Sequence, residues 1–231
     1  MTMASNQLTL VSHEGWSNDY YARLCRLLID CGLQALKTVF DKIHPPDRLH
    51  TILASPRVHE KLKILYEREI LDFEQWDKLY PAIPSMVSSE SFDLVLLLLL
   101  LRSICEINPP VTGWDSFPKK EDISTPADIA RVKYFLHHLV DSSQTSLDYT
   151  AFSKYWQEIY DILMRLGLES YGTVTKDLKN RSLDPDMEEY YQELMQQLAS
   201  NEENIKRKLM QLEMERGNLT KDIQSEGESL D

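Results

Sequence analysis

Apolar residues recur along this chain at intervals of three and four, and a proline or a capping residue marks most places where the pattern changes. From about Ser17 or Asn18, the positions Tyr21, Leu24, Leu28, Cys31, Ala35, Val39 and Ile43 fall on one side of a helix. His44-Pro45-Pro46 ends that run, because proline lacks an amide hydrogen and collides with a continuing helix. A short helix follows from Asp47 to Leu53. Ser55-Pro56 then opens another, pairing a capping residue with proline in the first turn. Asp72-Phe73-Glu74-Gln75 has the spacing of a capping box and starts a short segment bearing Trp76 and Leu79. Leu94 to Leu101 is unbroken apolar sequence, far short of the ~20 residues needed to span a bilayer. It predicts a helix buried on every side, over about 90–107 with Ser89 as its cap.

Pro109-Pro110 closes that helix and begins a loop of about 108–125 that holds Gly113-Trp114 and Pro118, long enough to suggest a function. Thr125-Pro126-Ala127-Asp128 starts a helix reaching about Asp141. The next, over about 148–166, aligns Phe152, Tyr155, Trp156, Ile159, Leu163 and Leu166, with Gly167 as C-cap. A weaker helix is expected over 172–181. Asp184-Pro185 then caps a last long segment in which Tyr191, Leu198, Ile205, Leu212 and Leu219 lie seven apart. The companion seam read from the sequence is Met187, Leu194, Asn201, Lys208 and Glu215, apolar only at its start. Two arrangements stay open: a helix docked on the body, fraying after about residue 215, or a weak self-associating coiled coil. The division expected is a tail over 1–17, a helical bundle over 18–183, the acidic helix over 184–224 and a disordered end over 225–231.

Composition sharpens this picture. Seven glycines in 231 residues favour an all-α protein over a turn-rich β-architecture. The formal net charge is -12, and the last fifty residues carry about 13 acidic and 5 basic side chains, so most of the excess lies in the final helix. Such a chain meets nucleic acid only through a local basic patch. The candidates for RNA contact are Lys119 and Lys120 in the long loop and Lys176, Lys179 and Arg181 further on, with Tyr134 and Phe135 as stacking surfaces. Cys25, Cys31 and Cys105 form no CxxC pair and read as buried, reduced thiols. The polar N-terminus has no signal-peptide core, so a soluble, cytoplasmic protein is expected.

Four stretches carry a resemblance to a known family: Val39 to Pro46; Gln75-Trp76-Asp77-Lys78-Leu79-Tyr80-Pro81; Phe92-Asp93-Leu94 through Leu101-Arg102-Ser103-Ile104-Cys105; and Pro109-Pro110 through Gly113-Trp114-Asp115 to Asp122-Ile123-Ser124 and Ala127-Asp128-Ile129-Ala130-Arg131. Over about residues 18–190 the chain resembles the HEPN domain of the type found in the DAZ-interacting RING-type ubiquitin ligase and in many invertebrate immune and signalling proteins. The resemblance implies a helical bundle, often dimeric. It also implies a link to RNA, since many such domains are metal-independent ribonucleases with an arginine and, four to six residues on, a histidine. Histidine would move a proton near neutral pH and arginine would stabilise phosphate charge.

The match breaks at the chemistry. The resemblance aligns Leu136 with the motif arginine, His137 with the residue after it and Ser142 with the histidine. Leucine cannot hold phosphate and serine does not titrate near neutrality. A rival pairing exists one turn away: at about 100° per residue, His138 returns to within about 20° of Arg131 on the helix surface. Val132, however, follows Arg131 where a polar residue is expected, so Arg131, His137 and His138 read as solvated or hydrogen-bonded helix residues. His137 or His138 with Asp141 has metal-compatible spacing, but no third ligand is evident, and neither metal nor cofactor is assigned. The function expected is a non-catalytic interaction module with a protein partner, a second copy included. The alternative is an RNA-binding or RNA-cleaving protein using Arg131, His137 and His138.

Overall fold

The spine of the molecule is a long helical stretch whose hydrophobic face changes direction midway. The computed structural model describes residues 13–141, 147–168 and 172–228. α1 (His13–Arg26) runs into a π-helical turn at Leu27–Cys31, where the Gly32 N–H donates to the Leu27 carbonyl five residues back, and continues as α2 (Gly32–Ile43). The extra residue in the turn rotates the inward face. Leu27, Leu28, Ile29 and Cys31 are therefore all buried, Leu36 and Phe40 join Ala35 and Val39 inside, and Ile43 is left exposed. Among the described residues the helix runs from His13, so part of the tail expected over 1–17 is helical.

α3 (Leu49–Leu53), α4 (Pro56–Glu67) and α5 (Phe73–Leu79) follow the prolines. The capping box is present: Asp72 accepts from the Gln75 N–H at 2.8 Å, and Gln75 accepts from the Asp72 N–H at 3.2 Å. His59, Tyr66, Trp76 and Tyr80 pack ring against ring between α4 and α5, and the Tyr80 hydroxyl donates to the Leu53 carbonyl.

The apolar helix α6 (Leu94–Ser103) is shorter than the span expected from sequence. Its N-cap is Asp93, which accepts from the Leu96 N–H at 2.8 Å, and not Ser89, which lies in a separate 3-10 turn. Phe92, buried and extended, separates the two. Every residue from Leu94 to Leu101 is buried.

α7 (Thr125–Asp141), α8 (Tyr149–Arg165) and α9 (Gly172–Asn180) complete the body, and all three pack on the π turn. At the end of α8, Gly167 takes a positive φ of 106°, and the Leu168 N–H reaches back to the Leu163 carbonyl at 3.1 Å. A Cβ on Gly167 would also stand 3.1 Å from the Thr38 methyl carbon, so glycine is required there twice over.

The last helix, α10 (Pro185–Glu228), is opened by Asp184, which accepts from the Met187 N–H, and lies along α1, α6 and α7. It continues to Glu228, beyond the end placed at 224 from the sequence. Tyr191, Leu198 and Ile205 are buried against the body and Leu212 is partly so; the side chain of Leu219 lies outside the described residues. The companion positions differ from those read in the sequence. Met195, Glu202 and Leu209, four residues beyond each seam position, are buried, whereas Asn201 is exposed. The described residues contain no strand, and no helix among them is long and apolar enough to cross a membrane.

Candidate functional site

The residues that sequence brought forward converge on α7, but each meets a different partner. Arg131 is 5% exposed. One guanidinium nitrogen donates to Asp128 at 2.7 Å and another to the Lys119 carbonyl at 2.5 Å. Asp128, 1% exposed, also accepts two bonds from Arg165 of α8, at 2.7 and 2.8 Å. An aspartate in the first turn of α7 thus ties two arginines, and through Arg131 the long loop, to one buried point. The guanidinium that could have faced a phosphate holds the fold instead.

Leu136 is fully buried in the core. Ser142 lies outside the described residues. His138 stacks on Tyr134, ring centroids 5.2 Å apart, and shares a hydrogen bond of 3.0 Å with the Tyr155 hydroxyl. His138 and Arg131 are therefore not brought together as a working pair: the histidine faces an aromatic group, the arginine an ion-pair cluster.

His137 makes the contact that sequence reasoning missed. Its Nε2 donates to Glu202 of α10 at 2.5 Å. The other Glu202 oxygen receives the Lys133 ammonium at 2.9 Å. Lys133 also pairs with Asp115 of the loop, and Asp115 accepts from Arg102 at 3.1 Å, while Arg102 reaches Glu213 of α10, also at 3.1 Å. Burial alone would raise the Glu202 carboxyl; the His137 hydrogen bond and the Lys133 charge outweigh it and hold the group below its ordinary value. Asp115 is lowered in the same way, burial being overcome by Lys133 and Arg102. Glu202 therefore sits ionised and satisfied in an otherwise apolar seam.

Beside this network is a cleft of about 170 Å³, walled by Trp114, Phe117, Tyr134, His137, Glu203 and Lys206 among others. Phe117 and Tyr134, both partly open to solvent, lie ring to ring at 4.4 Å. Of the basic candidates, Lys119, Lys120 and Arg181 are exposed; Lys179 is half-buried, and its carbonyl accepts from Arg23 at 2.6 Å. The Lys176 side chain lies outside the described residues. The three thiols are buried, and burial pushes Cys25 and Cys105 up to about 12 and Cys31 up to about 11, so none is a nucleophile at neutral pH.

A signal for the missed residue was present. Met195, Glu202 and Leu209 are spaced by seven, and Glu202 alone disguises them as a polar face. For Asp128 and Arg165, 37 residues apart, no local spacing could have announced the pairing.

An all-helical body built around α6, with α7, α8 and α10 packed about it, is that of a HEPN-type helical domain. The DZIP3/hRUL138-like HEPN family matches residues 46–191, and the chain belongs to that family. It is similar to the E3 ubiquitin-protein ligase DZIP3 of Homo sapiens, 30% identical over 174 residues, which cover 72% of this chain and 14% of that protein. The Mus musculus protein of the same name is 30% identical over 156 residues, 65% of this chain and 13% of that one. The chain thus spans a small part of the curated relatives it matches. No solved structure matches it.

Proposed function

We propose that this chain is a non-catalytic HEPN-type interaction module whose partner is a protein, a second copy of the chain included. One observation carries the reading: the groups nearest to a ribonuclease set are committed to the fold. Arg131 is buried between Asp128 and the Lys119 carbonyl, His137 is held by Glu202, and Leu136 is core. What remains for recognition is surface. Val111, 93% exposed, and Ile123 stand out from the long loop, with Phe117 half-exposed between them in sequence. The relatives are named ubiquitin ligases, and recruiting a protein in a cytoplasmic ubiquitin or immune signalling setting is the context we carry to this chain as part of the proposal. Sedimentation velocity and crosslinking in cells test it. The wild-type chain is expected to self-associate or to capture a defined protein, and Val111→Asp with Ile123→Asp to lose that contact. A wild-type chain that stays monomeric and captures nothing contradicts the reading.

A second reading, RNA binding without cleavage, draws on the Phe117–Tyr134 ring pair in the wall of the cleft and the exposed Lys119-Lys120 of the same loop. It requires salt-sensitive binding to single-stranded RNA that Lys119→Glu with Lys120→Glu abolishes. No binding at low salt removes it.

A further inference from the structure

We propose that His137, Glu202 and Glu203 form a binding site for a first-row divalent transition-metal ion, with zinc the natural probe, clamping α10 to α7. The donor atoms of these three side chains all lie within 4.8 Å of one another. Ligand atoms about 2.0–2.2 Å from a shared tetrahedral ion stand about 3.5 Å apart, so small side-chain adjustments bring these three onto one ion. The two elements come from opposite ends of the chain's logic: His137 projects from the helix of the altered motif, and the glutamates are adjacent residues on the docked helix. One imidazole and two carboxylates suit zinc or its neighbours better than calcium or magnesium, which take oxygen ligands.

The surroundings fit this use. The Glu202 oxygen facing His137 would bind the ion, while its other oxygen keeps the Lys133 ammonium, which orients the carboxylate as supporting residues do around bound metals. The adjoining cleft of about 170 Å³ has room for a water molecule to complete a tetrahedron. Its ionisable lining includes Asp115 and Glu203 against Lys133 and Lys206, and Glu202 adds a further negative charge. A divalent cation would therefore enter an excess of carboxylate. Two changes accompany entry. The His137 proton passes from Nε2 to Nδ1, which frees the Nε2 lone pair, and Lys206 leaves Glu203, which it now holds at 3.0 Å. Lys206 is a long side chain near the surface and can swing clear.

Isothermal titration of the full chain with zinc chloride at pH 7.5, with magnesium chloride as the comparison ion, tests the site. One equivalent of zinc is expected to bind with a dissociation constant in the micromolar range or below. Glu203→Gln and His137→Gln should each weaken binding by at least about ten-fold. Lys206→Met, which frees Glu203, should tighten it. Glu203 is exposed on α10, so Glu203→Gln keeps the fold, and an unchanged circular dichroism melt without metal checks that. The site is overturned if wild type binds no zinc, if it binds magnesium equally, or if Glu203→Gln and His137→Gln each bind zinc as tightly as wild type.

Discussion

Asp128 accepts hydrogen bonds from two arginines while almost shut off from water. Replacing it by alanine leaves the Arg131 guanidinium buried with one carbonyl partner. The loss of one member of such a cluster costs about 3–5 kcal/mol, so urea denaturation of Asp128→Ala should show a shift of that order. Arg165→Ala should cost much less, because its side chain reaches solvent and Arg131 still neutralises the aspartate. Glu202→Gln is the companion experiment. The folded carboxyl lies below its ordinary value of 4.5, so its stabilising contribution is present above that pH and is lost as pH falls through the folded value. The stability gap between wild type and Glu202→Gln, about 1–3 kcal/mol near pH 6, should therefore shrink toward pH 3 in acid-series melts. At this scale the sequence was half legible. Asp128 was recognised as an acid suited to a helix start, since that depends on neighbours in sequence. Its actual partners depend on α8 and the loop closing over it.

Among the elements, local chemistry was readable wherever a cap or a proline supplied it. The Asp72–Gln75 box and the Gly167 stop form as their spacing suggests. Two longer-range features were not. The π turn at Leu27–Cys31 is stabilised by α7, α8 and α9 packing on it, so the first helix alone reads as regular. The companion seam of α10 was misplaced because a seven-residue repeat leaves two flanking choices beside the true seam of Tyr191, Leu198 and Ile205, and only the body decides between them. Glu202 in the middle of the true choice hid it. The assignment has a direct consequence: Met195→Ala, at a fully buried position, should cost about 2–5 kcal/mol in thermal or chemical unfolding. Leu194→Ala, one residue earlier and half-buried, should cost less than half as much. Equal losses would mean that the helix docks through the other face.

For the molecule as a whole, family and fold were legible because several separated motifs kept their order and the apolar octet of α6 could only be core. The fate of the chemistry needed three dimensions. Sequence offered an arginine and a histidine on one face of α7; the structure turns Arg131 into the anchor of a loop, hands His137 to α10 and leaves His138 among tyrosines. The acidic excess of the last helix is likewise less a free tail than a surface, with Glu202 and Glu213 joined to cations of the body. The proposed lack of ribonuclease activity is tested most directly by an RNA cleavage assay with the purified chain, single-stranded RNA and a chelator at neutral pH. The account predicts no cleavage above the background seen with the doubly altered His137→Ala, His138→Ala chain. Cleavage by wild type that disappears in that variant would contradict it.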